Sequence, residues 1–264
     1  MKKKILSLIT AGLMILTVGC GTQSESGVAA ENNEQVTLNL SVAASLTDCM
    51  ETMEAVFNEQ YPNIHLQFNF GSSGALQQQI EQGAPCDIFF SAGIKQMNAL
   101  KDEGLMDEAS IEEALKNRLA LVVPANSEEV LTFATLKDAN VDKFAVGEVG
   151  TVPASQYTME VFDHLDVMST LEPHLVYAKD VREVLSWVET GNATAGVVYE
   201  TDAKITDQVK ISDLADESLH SPIIYPVGIV KATREMESAK RFMDFLKTDT
   251  AKQIFKDYGF TPIF

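Results

Sequence analysis

Small and hydroxyl residues occupy four places where a predicted strand gives way to a predicted helix. The four segments are Ala43-Ala44-Ser45-Leu46, Gly71-Ser72-Ser73-Gly74, Thr151-Val152-Pro153-Ala154 and Lys179-Asp180-Val181-Arg182. The first turn of a helix has backbone N–H groups without an intrahelical partner and carries the positive end of the helix dipole. Several such turns converging on one cleft would form a binding site for an anion.

Each segment also has a purely structural explanation. Ser45 with Asp48, and Asp180 with Glu183, fit the capping box that satisfies the N-terminus of a helix. The glycines of the second segment could simply allow a tight turn. Any one segment is therefore better explained by capping, and only the four together favour an anion site.

A tyrosine side chain could add a donor to such a site. Tyr199 ends a predicted buried strand that begins at Ala195, and its phenol can donate a proton to an anion. A core tyrosine with an internal hydrogen-bond partner explains the same pattern equally well.

Motifs for enzymatic chemistry and for metal binding are weak in this sequence. The segment Gly71-Ser72-Ser73-Gly74-Ala75 lacks the final glycine of a nucleophile elbow, and no general base can be assigned to it. The four histidines lack the spacing of metal ligands, and there is no Walker loop or dinucleotide fingerprint. We predict no catalytic residue, no cofactor and no direct protein–metal ligand. A hydrolase that uses Ser73 is the enzyme alternative.

The N-terminus has the features of an export signal. Three lysines at positions 2–4 precede an apolar run from Ile5 to Val18, which is shorter than a membrane-spanning helix. We predict a signal peptide at residues 1–19. The segment Leu16–Cys20 resembles a lipobox, which predicts lipidation of Cys20 and anchoring to the outer face of the cytoplasmic membrane. A periplasmic location is the alternative. Small and polar residues dominate positions 20–35, as expected of a flexible tether.

The charge of the chain excludes one class of partner. The formal net charge of -18 becomes -21 when the three lysines at positions 2–4 leave with the signal peptide. Nucleic acid is then excluded as a partner, because phosphate binding relies on clustered Lys and Arg. A small anion is not excluded, because surface charges are screened beyond roughly 8 Å at physiological salt. The two other cysteines, Cys49 and Cys86, could be reduced or paired.

From Val36 onward, strand-like and helix-like segments alternate, which favours an α/β fold with mostly parallel sheets flanked by helices. We predict two lobes, with lobe I formed by residues 36–120 plus 224–264 and lobe II by residues 121–223. The last predicted element is a helix from about Met236 to Phe255.

A series of short segments in one order resembles the molybdate-binding proteins of ABC import systems over the whole mature domain. The segments are Ala43-Ala44-Ser45-Leu46-Thr47-Asp48, Phe68-Asn69-Phe70-Gly71-Ser72-Ser73-Gly74-Ala75-Leu76, Gln79-Ile80-Glu81-Gln82-Gly83-Ala84-Pro85, Thr151-Val152-Pro153-Ala154, Val181-Arg182, Gly196-Val197-Val198-Tyr199 and Tyr258-Gly259-Phe260.

The resemblance implies a two-lobed periplasmic-binding-protein fold that closes over one tetrahedral oxyanion, molybdate or tungstate, and that delivers it to an ABC permease. It also implies neutral donors from Ser45 and Ser73 in the first lobe, and from Ala154, Val181 and Tyr199 in the second. A monomer is expected.

Two residues depart from the family pattern. Ser155 replaces an expected glycine, and Gly150 stands where Glu is common. Both changes concern the geometry of one turn, because the contact implied at Ala154 is a backbone N–H. Two further alternatives stay open: a receptor for another oxyanion such as sulfate or phosphate, and a sensory domain without transport.

Overall fold

The computed structural model of the chain describes residues 35–139 and 141–264, all of which belong to one compact unit. The predicted signal peptide, Cys20 and the tether up to residue 34 lie outside the described residues. Within the described ranges, no helix is long and apolar enough to cross a membrane.

Eleven strands and nine α-helices form the described part of the chain. The strands are β1 (Val36–Ala43), β2 (Ile64–Gly71), β3 (Ile88–Phe90), β4 (Glu112–Lys116), β5 (Leu119–Pro124), β6 (Phe144–Gly147), β7 (Leu175–Ala178), β8 (Ala195–Tyr199), β9 (Val209–Leu214), β10 (Ile224–Ile229) and β11 (Thr261–Pro262). The helices are α1 (Thr47–Gln60), α2 (Ser73–Glu81), α3 (Ile94–Asp102), α4 (Pro153–His164), α5 (Met168–Leu171), α6 (Val181–Glu189), α7 (Glu200–Ala203), α8 (Met236–Leu246) and α9 (Asp249–Asp257).

The strands form two separate sheets, which confirms the predicted two-lobed α/β fold. The sheet of lobe I has the order β11-β4-β10-β3-β1-β2, and the sheet of lobe II has the order β7-β6-β8-β5-β9. Both sheets are mixed rather than mostly parallel. The strands β5 and β10, which follow the two crossings between lobes, run antiparallel to their neighbours, whereas β1 and β6 have parallel neighbours.

The chain crosses to lobe II just before the predicted boundary at residue 120. Strand β4 ends at Lys116 in lobe I, and β5 already pairs within lobe II at its first residue, Leu119, which faces Tyr199 of β8. Residues 117 and 118 are therefore one of the two connections between lobes. The chain returns between β9 and β10, and β10 begins at Ile224.

The period of the apolar residues accounts for the elements that were predicted. Every second residue of β1 from Leu38 to Val42 is an apolar residue that is buried. In α1, Met50, Met53 and Phe57 lie three or four residues apart and are buried on one face of the helix. The two cysteines on which the sequence left alternatives, at positions 49 and 86, are buried and form no disulfide.

The predicted C-terminal helix is wrong in one respect, because it is two helices. α8 ends before Lys247, and α9 begins after Thr248, whose hydroxyl accepts a hydrogen bond from the Ala251 N–H at 3.2 Å. Threonine is a preferred N-cap, so a new helix starts there although the apolar period continues across the break.

Candidate anion-binding site

All four strand-to-helix segments converge on one cavity between the lobes. Its lining consists of Ala43, Ala44, Ser45, Gly71, Ser72, Ser73, Ala92, Val152, Pro153, Asp180, Val181 and Tyr199. Four of the five predicted site residues, Ser45, Ser73, Val181 and Tyr199, are therefore brought together. The fifth, Ala154, does not line the cavity itself but follows Pro153, which does.

The helix starts at this cavity leave backbone donors available. Ser73 and Val181 are the first residues of α2 and α6, and Ala154 is the second residue of α4. The N–H groups at such positions have no partner within their helix. The preceding residues Ser72 and Val152 make no side-chain capping bond, so these helix starts can offer donors to an anion.

The capping explanation holds for one of the two predicted pairs. Asp180 accepts a hydrogen bond from the Glu183 N–H at 2.9 Å, as a capping residue does. Ser45 makes no capping bond to Asp48. Its hydroxyl instead lies 3.0 Å from the Tyr225 hydroxyl. Tyr225 is not among the predicted site residues, because it belongs to an apolar strand typical of the core.

The hydroxyl groups of the cavity are held by buried partners. Ser73 Oγ accepts from the Ala92 N–H at 2.8 Å, and the Tyr199 phenol donates to the Ala92 carbonyl at 3.4 Å. Burial raises the pKa of the phenols of both Tyr199 and Tyr225 well above their usual value. Both phenols therefore keep their protons near neutral pH and act as donors.

The lobes are closed over the cavity by direct contacts. The Gly74 N–H of lobe I donates to the Thr151 carbonyl of lobe II at 2.8 Å. Arg182 of lobe II lies 2.6 Å from the Asp48 carboxylate of lobe I and donates to the Ser45 carbonyl at 3.3 Å. The cavity is about 10 Å³, roughly the room that one water molecule needs. The lobes must therefore open before an anion can enter, and the lining must adjust around it when they close again.

The chemistry of the lining suits a fully deprotonated anion. Such an anion offers only acceptors, and the cavity supplies hydroxyl and N–H donors among small apolar residues. Asp180 is the one carboxylate in the lining, and one of its oxygens already caps α6. Among residues 35–139 and 141–264, no group of three or more His, Cys, Asp or Glu side chains could hold a metal ion directly.

Comparison with known proteins places the chain in a family. The family model described as "Bacterial extracellular solute-binding protein" matches residues 38–261. The chain belongs to this family. The two lobes and the cleft between them agree with the fold of a solute-binding protein.

Individual relatives are similar over most of their length. The chain is 40% identical to YvgL of Bacillus subtilis, provisionally named an ABC transporter substrate-binding lipoprotein, over 98% of each chain. It is 35% identical to the molybdate-binding protein ModA of Haemophilus influenzae, over 83% of this chain and 87% of that one. The solved structure of the periplasmic molybdate-binding protein of Azotobacter vinelandii is 25% identical, with a TM-score of 0.77, over 85% of this chain and 98% of that one.

A larger cavity of this solute-binding protein, about 510 Å³, lies beside the crossing between the lobes. It is lined partly by Arg118 and Lys204, but both cations pair with Glu200, at 2.7 and 2.8 Å. Because Glu200 pairs with both cations and Glu217 also lies in the lining, this cavity offers an anion less positive charge than its basic residues suggest.

Arg182 is also paired on its own lobe. Its Nε lies 2.9 Å from the carboxylate of Asp202, whose side chain is completely buried. Burial raises the pKa of Asp202 to about 6, although the positive charge of Arg182 lowers it. The Tyr199 N–H also donates to this carboxylate, at 3.1 Å.

The raised pKa of Asp202 predicts a dependence of stability on pH. Because the folded pKa lies above the unfolded value, the stabilising contribution of Asp202 is fully present below about pH 4 and is lost as the pH rises through about 6. We expect Asp202→Asn to gain stability over the wild type by roughly 2–3 kcal/mol between about pH 4 and pH 7. Urea unfolding of both proteins across this range measures the difference. A difference that does not change with pH would contradict the assignment.

Proposed function

We propose that this solute-binding protein captures molybdate, and tungstate with it, outside the cytoplasm and delivers it to an ABC permease. The observation that carries the proposal is the convergence of four strand-to-helix junctions on one cleft lined by neutral donors. The names of the Haemophilus and Azotobacter proteins give molybdate as the anion of those relatives. This chain is similar to both over most of its length and has the fold of the Azotobacter protein. The proposed contacts are Ser45, Ser73, Ala154, Val181 and Tyr199, whose phenol would turn its proton from the Ala92 carbonyl to the anion.

The protein acts as a binding protein without catalytic activity in this proposal. Ser73 as a hydrolase nucleophile would need a base within hydrogen-bond reach. Its Oγ instead accepts from the Ala92 N–H. Anchoring through a lipidated Cys20 is part of the proposal and is supported by the name of the Bacillus relative. We propose that it works as a monomer and needs no cofactor.

Isothermal titration with molybdate, tungstate, sulfate and phosphate tests the function. Tight binding of the first two with little response to the others is expected. A preference for phosphate would instead favour the second candidate, a receptor for protonated oxyanions, in which Asp180 accepts the proton of the anion. This candidate rests on Asp180, which places a carboxylate in the lining of the cavity. If it is correct, Asp180→Asn should abolish phosphate binding.

The two serines are expected to contribute strongly to affinity. Ser45→Ala and Ser73→Ala should each weaken molybdate binding by about 1–3 kcal/mol, since each removes a hydrogen bond to a charged group. The dissociation constant from titration measures the loss.

Ser110→Ala is the matched control for the serine variants. Its Oγ accepts from the Ile229 N–H at 2.8 Å, just as Ser73 Oγ accepts from the Ala92 N–H at 2.8 Å, but it lies outside the cleft lining. The control should bind molybdate like the wild type. If both cleft variants also bound like the wild type, the assigned site would be wrong.

A further inference from the structure

The orientation of one half-buried amide is fixed by a backbone group. Asn117 lies in the connection between β4 and β5, and its Oδ1 faces the Arg118 N–H at 2.8 Å. A backbone N–H can only donate, so the oxygen of the amide must be on this side. The Nδ2 group therefore donates its two protons, to Thr201 Oγ1 at 2.9 Å and to Tyr225 Oη at 3.2 Å.

The direction of the next hydrogen bond follows from this orientation. The Tyr225 side chain is fully buried, and its oxygen already accepts from Asn117. A buried hydroxyl proton without an acceptor costs free energy. The Ser45 Oγ at 3.0 Å is the acceptor that the structure provides. Tyr225 therefore donates to Ser45, and the proton of Ser45 is left for a partner in the cavity.

We propose that Asn117 and Tyr225 are positioning residues that hold Ser45 as a donor toward the bound anion, by a relay from Asn117 through Tyr225 to Ser45. The inference rests on the proposed function, because it assumes an anion at Ser45. In the reverse direction, Ser45 would give its proton to Tyr225 and face the anion with lone pairs only. The relay thus links the connection between the lobes to the polarity of the binding site.

The substitution Asn117→Asp is expected to reverse the relay. A carboxylate accepts the Tyr225 proton, so Tyr225 must accept from Ser45, and Ser45 turns lone pairs toward the anion. We expect molybdate to bind about 100-fold more weakly, the upper range for losing a hydrogen bond to a charged group. The new negative charge would also repel the anion, and this effect must be separated from the relay.

A double-mutant cycle with Tyr225→Phe makes that separation. The phenylalanine removes the relay but leaves the charge of Asp at position 117 in place. We expect Asn117→Asp to weaken molybdate binding at least about tenfold less in the Tyr225→Phe protein than in the wild type, which is the coupling expected of residues in one network. Equal effects in the two backgrounds would overturn the relay.

Three other variants keep the relay falsifiable if Asn117→Asp does not fold. Thr201→Val removes the other partner of Asn117 and should leave affinity unchanged. Tyr258→Phe removes a phenol paired with Thr52 at 2.7 Å outside the cleft and should also leave it unchanged. Tyr225→Phe should weaken binding severalfold in the wild type but not in Ser45→Ala, and the same loss in both would overturn the relay.

The failure of the relay and the failure of the proposed function are distinguishable in these titrations. A wild-type protein that binds molybdate, with variants that act independently of one another, overturns the relay alone. A wild-type protein that binds no molybdate overturns the proposed function and the relay with it.

Discussion

Arg182→Met is expected to lower the free energy of unfolding by about 3–5 kcal/mol at about pH 9, the usual cost of leaving a buried charge unpaired, because Asp202, with a pKa of about 6, is ionised in the wild type at this pH. Arg182 Nε lies 2.9 Å from the completely buried Asp202 carboxylate. The methionine fills a similar volume but provides no positive charge. Asp202 would keep the hydrogen bond from the Tyr199 N–H, which is too little to replace an ion pair. Urea denaturation at constant pH measures the loss.

The double variant Arg182→Met with Asp202→Asn is the matched control. It removes the unpaired charge, so most of the lost stability should return. Asp48, the other carboxylate beside Arg182, is 40% exposed, and Asp48→Asn alone should cost less than about 1 kcal/mol. A single Arg182 variant as stable as the wild type, or a double variant as unstable as the single one, would contradict the role assigned to the pair.

Gly74→Ala is expected to weaken anion binding by about 3 kcal/mol without destabilising the unliganded protein. A Cβ at Gly74 would lie 2.5 Å from the Thr151 Cα and 2.6 Å from the Thr151 carbonyl oxygen across the cleft. Backbone atoms cannot rotate away, so full closure would require overpacking of the interface, which costs about 1–3 kcal/mol or more. In an open form the clash is absent, and alanine favours helix α2 over glycine by about 1 kcal/mol.

The pair of opposite effects is the signature of this variant. Titration should show weaker molybdate binding, while thermal unfolding without anion should show equal or higher stability. Gly71→Ala adds a methyl group to the same cavity-lining segment without a clash across the cleft, because its Cβ would meet only Leu76, at 3.5 Å, so it should weaken binding less than Gly74→Ala does. Wild-type affinity in Gly74→Ala would show that the closed contact between Gly74 and Thr151 is not needed for binding.

The parts of the fold that could be predicted are those with a local signal. Strand β1 and helix α1 show their own periods, and the four junctions carry small and hydroxyl residues. β4 has no such signal, because only Ala114 and Leu115 are buried among Glu and Lys residues. It forms a strand because β10 and β11 pair with it on either side, and such pairing with distant segments cannot be read from five residues.

The site shows the same division between local and distant causes. Ser45 and Ser73 could be proposed from their own junctions, because donors at helix starts are a local property. The partner of Ser45 is Tyr225, which is 180 residues away in the sequence, and no local pattern connects them. Arg182 belongs to one of the four junctions, but its contacts depend on tertiary packing. Asp48 lies in α1 of the other lobe, and Asp202 lies in α7 of the same lobe.

A crystal structure of the molybdate complex, with anomalous diffraction at the molybdenum absorption edge, tests the central claim most directly. We expect one molybdenum peak between the lobes, with oxygens within hydrogen-bond distance of Ser45 Oγ, Ser73 Oγ and Tyr199 Oη. A peak instead in the larger cavity beside Arg118 and Lys204, with nothing between the two serines, would contradict it.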